Sequence, residues 1–104
     1  MTAFIFYSLL KTQYPIAFDR ELGIETLSRM ATNLIEQGKH KDAVVFLERN
    51  ATEFPGSARS QMELAEAYLL LDMREKASKA YQMALDIEPG NTRARQGLKQ
   101  LKEQ

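Results

Sequence analysis

ARSQMELAEAYLLLDMREKASKAYQMALDIEPGN, residues 58–91, decides the fold. Leu64, Ala65, Tyr68 and Leu71 recur at intervals of three or four, and so do Ala77, Ala80, Tyr81, Ala84 and Leu85. That spacing puts each set on one face of a helix. Asp72-Met73-Arg74 is a short polar break between the two sets, and Pro89-Gly90-Asn91 ends the second, with Asn91 placed to cap whatever follows. The segment therefore reads as two helices joined by a tight turn.

The preceding residues, IETLSRMATNLIEQGKHKDAVVFLERNATEFPGS (24–57), repeat the pattern at an offset of 34. Ala31 falls on Ala65, Ala43 on Ala77, Pro55 on Pro89 and Gly56 on Gly90, with Met30 on Leu64, Leu34 on Tyr68 and Leu47 on Tyr81. Gly38-Lys39-His40 supplies the turn within the unit, and Pro55-Gly56-Ser57 stops one unit and caps the next. Small residues at 31, 43, 65 and 77 let antiparallel helices approach closely while Tyr68 and Tyr81 fill the space beside them.

The unit resembles the tetratricopeptide repeat. Counting from Ala58, the residues Leu64, Ala65, Tyr68, Ala77, Tyr81, Ala84 and Pro89 stand where that family places its Leu, Gly or Ala, Tyr, Ala, aromatic, Ala and Pro. Gln61 departs at the large apolar position, and in the first unit Asn50 replaces the small Ala of the second helix. The resemblance implies an all-α fold: a short α-solenoid of antiparallel helix pairs. In one domain, 1–104, residues 1–23 would be an N-terminal apolar segment with an extra helix. Residues 24–57 and 58–91 would be the two repeats, and 92–104 a C-terminal capping helix with Leu98 and Leu101 on its inner face.

Composition removes other classes. With no cysteine, a disulfide scaffold, a thiolate zinc site and a cysteine nucleophile are excluded. Fourteen Lys and Arg balance fourteen Asp and Glu, so the chain lacks the basic excess that drives nucleic-acid binding. The apolar run Ala3–Leu10 is far short of the ~20 residues needed to span a bilayer, and no signal-peptide pattern surrounds it. A cytoplasmic protein with no nucleic-acid or membrane partner is expected. Catalytic chemistry is not expected either. His40 is the single histidine and lies in a polar turn, Glu63 and Glu66 read as a solvated helix face, and no glycine-rich phosphate loop exists. No catalytic, cofactor or metal residue is assigned.

In tetratricopeptide arrays the first helix of each pair lines a concave groove that commonly binds peptides. The family's clamp for a C-terminal carboxylate needs Lys, Asn and Arg at positions that here hold Ser28, Thr32, Met62 and Glu66; the capping helix has Arg93, but Gly97 stands where the clamp's Arg would be, so that function does not carry over. The expected groove instead mixes Ile35, Met62 and Leu69 with Glu25, Arg29, Arg59 and Glu66. Of Leu69-Leu70-Leu71, Leu71 is expected to pack against its own repeat's second helix, which leaves Leu69 or Leu70 toward the groove.

The function so implied is a non-enzymatic scaffold holding a peptide, an amphipathic helix or another protein subunit. Phe4, Ile5, Phe6, Tyr7, Leu9 and Leu10 are candidates for capping the first repeat or joining two copies as a homodimer. The alternative is an accessory region at the C-terminus of a larger bacterial serine hydrolase, esterase-like or β-lactamase-like, because the run from Glu48 to Ser57 and Glu66-Ala67-Tyr68 resemble repeats appended to such proteins.

Overall fold

The structure is a computed structural model that describes residues 24–103. The N-terminal segment carrying Phe4, Ile5, Phe6, Tyr7, Leu9 and Leu10 lies outside the described residues. Five helices follow in order: α1 (Ile24–Glu36), α2 (His40–Glu53), α3 (Ala58–Leu70), α4 (Arg74–Ile87) and α5 (Thr92–Glu103). From Ile24 to Ala58, Glu36 to Leu70, His40 to Arg74 and Glu53 to Ile87, each step is 34 residues. The period seen in the sequence is thus the period of the helices. α1 packs on α2 and α3 on α4, while α2–α3 and α4–α5 contacts join the pairs into an all-α helical repeat.

The turn inside each pair is one motif written twice. After α1, the Lys39 amide donates to Leu34 O at 2.8 Å and the Gly38 amide to Ile35 O at 3.0 Å. After α3, the Met73 amide donates to Tyr68 O at 2.9 Å and the Asp72 amide to Leu69 O at 3.0 Å. Both are Schellman endings, which need a left-handed residue at the penultimate position. Gly38 adopts φ 78° without cost, but its counterpart Asp72 is held at φ 58°, where a side chain is disfavoured. Asp72→Gly is therefore expected to raise the unfolding free energy by about 0.5–1 kcal/mol, measured by urea denaturation, with relief of the strained φ outweighing the added freedom of the unfolded chain. A loss of stability would show that Asp72 is not strained there.

The starts of α3 and α5 are likewise matched. Ser57 Oγ accepts from the Ser60 amide at 3.1 Å, and Asn91 Oδ1 accepts from the Ala94 amide at 2.9 Å. Each satisfies one of the unpaired donors at a helix N-terminus, so the residues after Pro55-Gly56 and Pro89-Gly90 restart a helix rather than merely end one.

The core runs continuously through both pairs. Ala31, Ala43, Ala65 and Ala77 are all buried at the helix contacts, with Leu27, Leu34, Phe46, Leu47, Tyr68 and Tyr81 around them. Asn50, fully buried in α2, donates from Nδ2 to Ile24 O at 3.1 Å and so ties α2 to the start of α1. α5 closes on the second pair through Ala94 and Leu98. Gly97 lies so near the Tyr81 ring that an added Cβ would sit 2.4 Å from Cζ. Overpacking of about 1–3 kcal/mol exceeds the ~1 kcal/mol that alanine gains over glycine in a helix. Gly97→Ala should therefore lower the melting temperature, and an unchanged or higher value would mean that α5 can slide away from Tyr81.

Tyr68 adds a pH dependence. Its hydroxyl donates to Glu48 Oε2 at 2.8 Å, and burial, reinforced by that carboxylate, pushes its pKa well above the usual tyrosine value. Tyr81 moves the same way, first through burial and then through Glu66. An unfolded tyrosine ionises near pH 10 while these stay protonated, so their contribution is intact below ~10 and is lost as pH rises beyond it. Alkaline titration of the Tyr7→Phe, Tyr14→Phe variant followed at 295 nm should show the two remaining tyrosines, Tyr68 and Tyr81, ionising together with loss of helical circular dichroism. Ionisation near pH 10 with the helices intact would contradict this.

Candidate functional site

A cleft of ≈ 150 Å³ opens along the first helices of the pairs, and its lining comes from α1 and α3 with one residue each of α2 and α5. Ala31, Leu47 and Ala67 form an apolar floor, Ile35 and Leu70 stand at one end, and Ser28, Thr32, Glu63, Glu66 and Arg93 supply the polar wall. The small alanines create the depression because the floor there is close to backbone. Leu70, at 47% exposed, is the large apolar side chain that projects from its rim.

The polar wall is cross-linked between helices. Ser28 Oγ donates to Glu63 Oε2 at 2.6 Å, joining α1 to α3. Arg59 on α3 reaches back to Glu25 Oε1 on α1 at 2.5 Å and to Ser28 Oγ at 3.2 Å, and its Nε lies 3.3 Å from Glu63 Oε1. The hydrogen bond to Glu25 and the charge of Glu63 both push the Arg59 guanidinium pKa up. Farther along, Arg93 on α5 grips Glu66 on α3 with two hydrogen bonds of 2.8 and 3.0 Å. Such exposed pairs contribute only ~0–1 kcal/mol each to stability, so their main effect is to hold helix register and occupy the arginines. An incoming carboxylate meets Arg59 and Arg93 already matched, which is electrostatically unlike a carboxylate clamp.

Of the residues expected from sequence to line the groove, Ile35 and Glu66 do so. Glu25 and Arg59 meet at its edge, and Arg29 is exposed on α1 outside the cleft lining. Met62 is different. It is 8% exposed and belongs to the core. Its counterpart one repeat earlier is Ser28, also buried, whose hydroxyl touches α3; this register position thus faces the seam between successive first helices rather than open solvent. Leu69 is half-buried against the core, Leu71 caps the end of α3, and Leu70 is the leucine that lines the cleft.

Sequence reasoning missed the Ser28–Glu63 and Glu66–Arg93 links. They join residues 35 and 27 positions apart. Opposite or complementary polar residues near one repeat length apart on successive first helices are the signal that could have found them.

Helix pairs repeating every 34 residues, with a cleft along their first helices, define a helical-repeat interaction fold. The family model of the tetratricopeptide repeat matches residues 34–102, and the chain belongs to that family. Tetratricopeptide repeats generally mediate protein–protein interaction, and the fold is typically a non-enzymatic scaffold. No curated protein matches the chain. Among the described residues, no helix is long and apolar enough to cross a membrane.

Proposed function

We propose that the chain binds an amphipathic helical segment of a protein partner in the cleft between α1 and α3. The observation that carries this is the juxtaposition of an apolar end, Ile35 and Leu70 over an alanine floor, with a polar wall whose cations are already paired. Such a surface favours apolar anchors at i, i+3 and i+4, with polar contacts setting orientation. Leu70 and Ile35 take the anchor positions. Thr32 and the Glu66–Arg93 pair border them.

Peptides selected from a displayed library of amphipathic sixteen-residue helices supply the probe. Leu70→Asp should weaken a selected peptide by on the order of tenfold or more, as loss of an interface anchor does, without altering helical content. Leu70 is exposed, so the substitution leaves the core intact. Peptides whose affinity is the same for the wild type and for Leu70→Asp and Ile35→Asp would place binding elsewhere.

A further inference from the structure

A second surface lies on α4, away from the cleft lining. Met83 and Ile87 are exposed there, at 49% and 38%. One repeat earlier the same register positions hold Arg49 and Glu53, which form an ion pair of 2.9 Å across one helical turn. The first pair thus fills these positions with an ion pair whose Arg49 side chain is only 12% exposed, whereas the second fills them with two apolar side chains that remain outside.

The charges around them are also arranged against the helix. Lys79 lies four residues before Met83 and Asp86 three residues after it, so both charges flank Met83 on one stripe of the helix. Its cation is nearer the helix N-terminus and its anion lies in the last turn, where α4 has no basic residue at all. The helix macrodipole disfavours the anion in that last turn. An antiparallel neighbour of the same sequence reverses the problem, since its acidic end lies beside this helix's basic half.

We propose that α4 is a self-association surface on which a second copy of the chain docks through its own α4, antiparallel and related by a two-fold axis near Met83. In that register Met83 meets the partner's Met83, while Lys79 faces the partner's Asp86 and the apolar stem of Lys79 covers the partner's Ile87. Two-fold pairing uses the same patch twice and leaves no open surface for further growth. One helix per copy makes a small interface, so association is weak and concentration-dependent. This interface does not depend on the cleft or on any peptide bound there.

Sedimentation equilibrium of the full chain tests it. The mass should rise toward that of a dimer as protein approaches about 1 mM, the range of weak association. Met83→Glu should weaken self-association by on the order of tenfold or more with unchanged circular dichroism, because the side chain is half exposed and not part of the core. Lys79→Glu alone should weaken it as well, and Lys79→Glu combined with Asp86→Lys should restore it. A chain that stays monomeric throughout, or a dimer that both single variants leave intact, overturns the proposal. Failure of the charge swap to restore the dimer overturns the antiparallel register.

Discussion

Phe46→Ala is expected to lower the unfolding free energy by about 3–5 kcal/mol, the usual cost of removing a fully buried phenylalanine. Phe46 is fully buried in α2 and is the largest such side chain among the described residues. Its counterpart one repeat later is Ala80, while Leu34 and Leu47 stand where the second repeat has Tyr68 and Tyr81. The two pairs therefore reach similar burial with bulk at different register positions, and the first has no tyrosine to close around a hole left at 46. Domains of this size hold about 5–15 kcal/mol in total, so the variant loses a large share of it. The urea midpoint should fall by roughly 2 M with little change in slope. A loss below ~1 kcal/mol would mean that the side chain is not packed as described.

Ala77→Leu is expected to destabilise by about 1–3 kcal/mol for the opposite reason. Ala77 is fully buried on α4, as its counterpart Ala43 is on α2. A leucine there adds three carbon atoms to a helix contact with no room for them, and α3 and α4 must separate or bend. The same substitution at Ala43 should act in the same direction, since the repeat makes the two sites equivalent. Helix propensity cannot rescue either variant, because alanine is already the better helix former. A Tm at or above the wild-type value for Ala77→Leu would show that the helices are not in close contact at this point.

What the sequence made legible was everything governed by period. Alanines at 31, 43, 65 and 77, the proline-glycine stops and the caps Ser57 and Asn91 recur at one offset, and the helices obey it to the residue. Residues facing the seams were harder to assign. Met62 looks like a groove residue by its place on α3, yet it is buried in the core, and only a three-dimensional arrangement of helices shows it. The choice between Leu69 and Leu70 turns on about one residue of helical rotation, which periodicity in a run of three leucines does not resolve. Asp72 reads as an ordinary break residue; its left-handed backbone becomes visible only beside Gly38 in the same motif. Gly97 likewise looked like a missing arginine, whereas the Tyr81 ring leaves space for no side chain there.

Amide chemical-shift mapping tests the central claim, that a partner helix is held in the cleft, most directly. On titrating a selected amphipathic peptide into labelled protein, the largest changes should fall on Thr32, Ile35, Glu66, Ala67 and Leu70, with Met83 and Ile87 on α4 nearly still. Changes centred on α4, with the cleft residues unmoved, would contradict it.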